Sequence, residues 1–475
     1  MRNATAYGCA LAMVLAACGP SEPYSPGNNT QPGQDANVSG LDQDGDGYTP
    51  AMGDCDDSNP NVSPAAMEIP GNGIDDDCNG LVDADMDGDG YTEANGDCDD
   101  YDPDVYPHAP EDGGNGTGEP NGIDDDCDGI IDNHLPTVDD DGDGFSEVEG
   151  DCDDNDIYAN PGAYDVPDNQ LDEDCNGIPD DTVLECDTGL AVDDSDPFNA
   201  ARAIGLCHVA SETGSEWGVL SARWVLADGA DPSGYSSFPV GHGILDAFGA
   251  TVTVREGVKL LAISSGAARQ PSDPGYQDPG GYDKGYTSGT AWGYQPTSPF
   301  CPGVTTGTPH DSIALELSIR VPTNALSASF DFNFFTYEFP VYICSEYNDY
   351  FVALLDPTPP GQTDPNVSFD SNNNPISVNN ALLQVCNPPQ TAGGIFFACP
   401  LGDTELQSTG FEGHAATGWL QTTINLDPTA TNNGVITLLF GVWDSGDGVL
   451  DSTVVIDNWQ WSAEPATGST TTPVD

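Results

Sequence analysis

Positive charge is almost missing from this chain: of 475 residues, eight are Lys or Arg against 80 Asp and Glu, for a formal net charge of −72. Between Arg2 and Arg202 there is neither lysine nor arginine. That absence excludes recognition of nucleic-acid phosphates, which takes clustered cationic side chains, and electrostatic docking on anionic lipid. No stretch approaches the roughly 20 consecutive apolar residues of a membrane-spanning helix. No CxxC pair occurs and His208, next to Cys207, is the one histidine beside a cysteine, so a zinc site is not expected. HExxH, GxSxG and P-loop motifs are absent, and His242 and His414 stand alone in Gly-rich segments. The chain is therefore read as a non-enzyme. A secreted carbohydrate-active enzyme is the distant alternative, because any two of so many carboxylates could serve a glycosidase.

What is abundant is carboxylate, glycine and proline. Gly 56 and Pro 39 make one residue in five, so turns and loops dominate and helices are few. The acids are concentrated: residues 35–187 hold 40 Asp and 8 Glu. On composition alone such a stretch would be disordered. Any order has to come from bound cations or disulfides.

The first residues carry a leader. Arg2 precedes an apolar run from Ala6 to Ala17 that ends Leu15-Ala16-Ala17-Cys18. This resembles the signal peptide of bacterial lipoproteins and implies removal of residues 1–17 and lipidation of Cys18. Gly19 is not the aspartate that retains such proteins at the inner membrane. The expected location is thus the outer membrane or cell surface, with residues 18–41 as a flexible tether. Setting Cys9 and Cys18 aside leaves 12 cysteines, an even number that suits an oxidising compartment.

Residues 42–183 form a threefold repeat with units at 42–84, 85–138 and 139–183. The units open on Asp42-Gln-Asp44-Gly-Asp46-Gly-Tyr48, Asp85-Met-Asp87-Gly-Asp89-Gly-Tyr91 and Asp139-Asp-Asp141-Gly-Asp143-Gly-Phe145. Gly-Asp-Cys-Asp-Asp follows in each, and its first aspartate (Asp54, Asp97 or Asp151) lies 12 residues after the opening one. Carboxylates at positions 1, 3 and 5 converge, glycine at 6 allows the sharp turn, and the carbonyl of Tyr48, Tyr91 or Phe145 at position 7 can add an oxygen. This is a hard, all-oxygen cage suited to Ca²⁺. Position 12, the bidentate glutamate of an EF-hand, is instead Gly53, Gly96 or Gly150, and no amphipathic helices flank the loop. Each unit closes on a second loop of the same logic. Its oxygen ligands are Asp75, Asp77, Asn79 and Asp83; Asp124, Asp126, Asp128 and Asp132; or Asp172, Asp174, Asn176 and Asp180. Six candidate Ca²⁺ sites result. Because a cysteine sits beside the ligands of both loops, the first-choice pairings are Cys55–Cys78, Cys98–Cys127 and Cys152–Cys175.

The pattern resembles the metal-binding repeat of the MopE copper-binding protein family and is similar in layout to thrombospondin type-3 calcium repeats. The resemblance implies copper as an alternative cofactor. The residues favour Ca²⁺, because copper prefers imidazole and sulfur whereas these ligands are oxygens. His108 and His134 occupy no repeated position.

After Cys186 charges thin out and period-two segments appear, clearest at 313–321 and 330–334 and again at 251–255, 435–440 and 454–456. A mainly β protein is expected: a β-sandwich or jelly roll over 199–464, preceded by a linker (184–198) and followed by a flexible tail (465–475). Phe332-Asn-Phe334-Phe-Thr-Tyr-Glu338, Tyr347-Asn348-Asp349-Tyr-Phe351 and Trp443-Asp444-Ser-Gly-Asp447-Gly-Val-Leu-Asp451 are similar to the choice-of-anchor L family, which implies extracellular display but no activity. Glu338, Asn348, Asp349, Asp444, Asp447 and Asp451 are candidates for a further cation site, with turn chemistry as the plainer account. The composite expectation is a surface lipoprotein whose Ca²⁺-stabilised repeats are a spacer presenting a β-sandwich for adhesion to a glycan or protein ligand. A surface protein scavenging copper or other divalent metal is the rival.

Overall fold

The longest alternating runs in the sequence become the longest strands. A computed structural model describes residues 40–67, 69, 72–80, 85–92, 96–111, 120–133, 135–180, 186–294, 300–380, 382–426 and 434–474. The leader, Cys18, Asp83 and His134 lie outside the described residues. The chain divides into two compact units, Met1–Pro110 with Asp124–Gly129, and Glu111–Ile123 with Ile130–Asp475.

The first unit contains repeat one and most of repeat two. Its chain is turns and bends, with a single 3-10 turn, Pro50–Met52, among its described residues. Few apolar side chains are buried there; Val62 and Val105 are the main ones. With so little core, the disulfides Cys55–Cys78 and Cys98–Cys127 hold each repeat closed.

The second unit contains repeat three and the β domain. One short helix, Pro197–Arg202, is capped by the Asp196 carboxylate. The strands begin with β1 (Gly218–Val225), β2 (His242–Leu245), β3 (Ala247–Phe248), β4 (Val252–Thr253) and β5 (Leu260–Ser264). They continue with β6 (Pro309–Arg320), β7 (Ser327–Thr336), β8 (Tyr350–Asp356), β9 (Gln390–Ala392) and β10 (Ile395–Phe397). The last are β11 (Ala415–Ala416), β12 (Leu420–Asn425), β13 (Val435–Ser445), β14 (Ser452–Ser462) and β15 (Thr470–Pro473).

Two antiparallel sheets face each other. One has the order β1-β6-β13-β8; the other runs β15-β12-β7-β14-β5-β2, with β11 also on β7. Leu315, Leu317 and Ile319 from the first meet Phe330, Phe332, Phe334 and Ile456 from the second. Phe330 lies edge-on to Phe440 at 4.9 Å and Phe332 packs on Phe351 at 4.8 Å, so aromatic contacts knit the sheets into a sandwich.

Three features depart from the sequence reading. The expected tail (465–475) contains a strand: Thr470–Pro473, with its three β-branched threonines, pairs with Leu420–Thr423 at the sheet edge. The linker is stitched in from Cys186 onward, by Cys186–Cys207 and by Asp187, which accepts the N–H groups of Val258 and Lys259 at 2.8 and 2.7 Å. Alternation on β7 does not mark a solvent face either. Phe335 on its second side is buried against Phe248 and Phe411. Asp331 on that strand meets Gln421, Arg255 and Asn458.

Repeat three docks on the sandwich through backbone and amide bonds. Thr323 N–H donates to the Gly162 carbonyl at 2.9 Å, Tyr164 N–H to Asn324 Oδ1 at 3.1 Å, and Asn324 Nδ2 to the Tyr164 carbonyl at 2.8 Å.

Candidate metal centres

Each opening loop is wound by its own first aspartate. Asp42 accepts the N–H groups of Gly45 and Gly47 at 2.6 and 3.0 Å, and Asp85 and Asp139 repeat this with Gly88 and Gly90, and Gly142 and Gly144. Both glycines of every loop take positive φ, from 82° to 104°, which a side chain would oppose. One oxygen of the position-3 aspartate then accepts the N–H of position 5, and one oxygen of position 5 accepts the N–H of Tyr48, Tyr91 or Phe145 at 2.8, 2.7 and 2.9 Å.

The second oxygens are what distinguish the site. Oδ2 of Asp44, Asp46 and Asp54 is buried without a hydrogen-bond partner, and so is Oδ2 of Asp87, Asp89 and Asp97. In repeat three Asp141, Asp151 and Asp154 leave Oδ2 in the same state. A buried carboxylate oxygen with no donor costs free energy unless a cation meets it. That the same positions recur in three independent loops points to a ligand. Carboxylate oxygens of Asp42, Asp44 and Asp46 lie within 4.8 Å of one another, as do those of Asp85, Asp87 and Asp89, of Asp139, Asp141 and Asp154, and of Asp141, Asp143 and Asp151.

Electrostatics agree. Burial first, then neighbouring carboxylates, push Asp54, Asp87, Asp97, Asp141 and Asp151 above the usual carboxylate range. Asp143 is pushed up to about 6 by the same causes. A cation among these carboxylates would offset both causes.

The glycine that replaces the EF-hand glutamate has a steric reason. Gly53, Gly96 and Gly150 take φ of 102°, 111° and 108°, and a Cβ on each would stand 3.2–3.3 Å from Pro64, Pro107 or Pro161. The chain turns left-handed there, and the carboxylate arrives one residue later.

The closing loops are built differently. Asp75, Asp124 and Asp172 accept the N–H of Gly80, Gly129 and Gly177 at 3.0, 3.0 and 2.8 Å. Asp77, Asp126 and Asp174 accept from Asn79, Asp128 and Asn176 at 2.9, 3.0 and 3.1 Å. Asp75 Oδ1 is buried and unpartnered, which leaves it available to a cation. The two described position-9 carboxylates, Asp132 and Asp180, are engaged by turn N–H groups. Asp132 takes the N–H groups of Asn121 and Gly122 at 2.7 and 2.8 Å, and Asp180 those of Asn169 and Gln170 at 2.9 Å each. Spacing could not separate the two uses, because a turn N–H and a cation both attract a carboxylate. The three disulfides lie where ligand adjacency places them, including Cys152–Cys175.

Sequence reasoning missed the last aspartate of each Gly-Asp-Cys-Asp-Asp. Asp57, Asp100 and Asp154 are buried, and they reach back to the second residue of the opening loop: Gln43, Met86 and Asp140 donate N–H to them. Their recurrence in all three units was the signal.

In the β domain Glu338, Asn348, Asp349, Asp444 and Asp451 are buried at one end of the sandwich. Asn348 accepts the Asn379 N–H at 2.9 Å and is occupied structurally. Asp447 is only half-buried and caps its own turn through the Val449 N–H at 3.1 Å. The plainer account therefore holds for Asp447. Asp311 and Lys284, buried beside the cluster, carried no sequence signal.

The metal-binding motif of the MopE copper-binding family, described as "Putative metal-binding motif", matches three segments, 54–84, 97–133 and 151–181. Those segments coincide with the three disulfide-closed loops. No curated protein matches the chain.

Proposed function

We propose that the chain is a lipid-anchored surface protein whose three acidic repeats are a Ca²⁺-stabilised spacer for a ligand-binding β-sandwich. The observation that supports this most is the buried, unpartnered carboxylate oxygen recurring at positions 3 and 13 of every opening loop. Oxygen-only donors on flexible loops match Ca²⁺ better than copper. Bound Ca²⁺ removes the repulsion among the carboxylates and lets the disulfide-closed loops stay compact; without it the repeats should swell. The lipoprotein-like Leu15-Ala16-Ala17-Cys18 supports the anchor, and the sandwich supplies the displayed surface. Extracellular modules of this type bind Ca²⁺ at about 10⁻⁴–10⁻³ M, so the ion would be constitutive rather than a signal.

The test is metal analysis of protein purified without chelator, followed by scattering and limited proteolysis with Ca²⁺ or EGTA. Bound calcium, with expansion and cleavage within 40–180 on chelation, is expected. Scattering and proteolysis indifferent to EGTA would remove the spacer reading, and tight copper binding with weak Ca²⁺ binding would turn it into metal scavenging.

A further inference from the structure

Strand register gathers three strand ends in each sheet, and Asp349, bonded to both Ser445 and Ser452, joins the two sets. Thr336 stands opposite Ser452, Thr453 opposite Ser264, Trp443 opposite Tyr350 and Asp444 opposite His310. The starts of β6, β8 and β14 thus meet the ends of β5, β7 and β13. Asp311, Glu338, Asp349, Asp444 and Asp451 all sit at or beside these ends, and none is more than 2% exposed.

Two of the five acids are satisfied. Asp349 accepts the Ser445 N–H at 3.2 Å and the Ser452 hydroxyl at 2.6 Å, bridging the two sheets. Asp311 accepts the N–H groups of Lys284 and Tyr286 at 2.5 and 3.0 Å. Three are not. Both oxygens of Asp451 and Oε2 of Glu338 are buried with no hydrogen-bond partner, and both oxygens of Asp444 are buried beside Ser265 and Asp349 without a geometrically formed hydrogen bond. The one buried cation beside them, Lys284, directs Nζ to the Ser264 carbonyl at 3.0 Å and makes no ion pair within 4.0 Å among the described residues. One ammonium does not balance five acids. Gly266 makes the room: a Cβ there would fall 1.7 Å from Asp451 Oδ2, so the carboxylate lies against bare backbone. Burial and mutual repulsion raise Glu338 to about 9 and drive Asp444 and Asp451 well upward.

We propose that this end of the sandwich is a buried site for one hard divalent cation of Ca²⁺ type, ligated by Asp444, Asp451 and Glu338. All donors are oxygen, which excludes a preference for soft metals. Asp444 extends from one sheet whereas Glu338 and Asp451 extend from the other, so the ion pins the sheets together where strand pairing ends. Asp349 is a positioning residue: by bonding both Ser445 and Ser452 it fixes the chain next to two of the ligands. The site is independent of the repeats and stands whether or not they bind Ca²⁺.

Tryptophan isolates it experimentally, because all seven tryptophans lie between Trp217 and Trp461 and the repeats hold none. The full-length chain is titrated with Tb³⁺ under tryptophan-selective excitation, and its bound Ca²⁺ is counted. In Asp444→Asn/Asp451→Asn the sensitised emission is expected to be lost, the calcium count to fall by one, and Ca²⁺ to lose its stabilisation of the tryptophan-detected melt. The milder Glu338→Gln, which keeps the fold if the double variant does not, is expected to weaken Tb³⁺ binding at least tenfold. An unchanged calcium count together with a higher melting temperature in EGTA would overturn the proposal, because protons would then be neutralising the cluster. So would sensitised emission persisting in either variant at wild-type affinity.

Discussion

Asn160 donates from Nδ2 to Oδ2 of Asp143 at 2.6 Å, and that bond sets the third repeat apart from the other two. The same side chain accepts the Thr323 hydroxyl at 2.8 Å and the Gly162 N–H at 2.9 Å. Eight residues after the repeat cysteine, repeats one and two carry Ser63 and Tyr106 instead. One buried amide therefore links a carboxylate of the third cage to the loop between β6 and β7. Asn160→Ala should cost about 1–3 kcal/mol, the penalty for stranding buried polar partners. Hydrogen exchange should show the loss over both 139–180 and the Thr323 loop, with repeats one and two unchanged.

Asp54→Asn, Asp97→Asn and Asp151→Asn each remove a carboxylate whose outer oxygen has no protein partner. Each should lower calorimetric Ca²⁺ affinity at one opening loop by tenfold or more. Asp180→Asn is the contrasting case. It should leave the ion count intact and loosen the turn at Asn169–Gln170, because its carboxylate serves backbone N–H groups.

Restoring the EF-hand residue should weaken binding rather than strengthen it. Gly53→Glu adds a carboxylate but forces a side chain onto φ 102° and against Pro64 at 3.3 Å. Strain of this kind costs about 1–3 kcal/mol. Lower Ca²⁺ affinity than wild type by calorimetry is the expected outcome, and a gain would show that the loop relaxes freely.

Replacing Cys98 and Cys127 by serine opens a loop with a sequence separation of 29 residues. The chain-entropy account gives about 3–4 kcal/mol for a loop of this length. With so small a core in the first unit, the repeat should then be protease-resistant only at raised Ca²⁺. The readout is the Ca²⁺ concentration that halves cleavage, expected to rise at least tenfold.

His242 makes the β domain acid-sensitive. Burial, then the charges of Arg269 and Lys284, lower its imidazole from 6.5 to about 4, against a small opposing pull from Asp194. Because the folded state disfavours the protonated ring, its contribution is complete above pH 6.5 and is lost as pH falls through about 4. The difference is about 3 kcal/mol at 1.36 kcal/mol per unit. His242→Phe keeps a ring against Trp224, which stacks on the imidazole at 4.3 Å. Denaturant melts followed by tryptophan fluorescence should show that variant losing less stability than wild type between pH 7 and 4.

The sequence by itself determined the local chemistry. Asp at positions 1, 3 and 5 with glycine at 6 winds a loop through contacts at most five residues apart, so the opening cages were legible residue by residue. The repeat disulfides followed because each cysteine lies beside loop residues on both sides of its pair. Alternation located β6, β7, β13 and β14 for the same reason: the signal is local.

Tertiary structure decided whatever depends on what covers a residue. It gave Asp132 and Asp180 to turn N–H groups, made Thr470–Pro473 an edge strand, and buried both faces of β7. It also drew Asp311, Glu338, Asp349, Asp444 and Asp451 together from across 141 residues of chain, by strand register within each sheet and by the packing of the two sheets. The scarcity of positive charge reads differently in the two places. In the repeats, spacing already shows where cations would take the place of lysine and arginine. In the sandwich only packing shows it, because desolvation and the absence of a hydrogen-bond donor are properties of an environment that no sequence window contains.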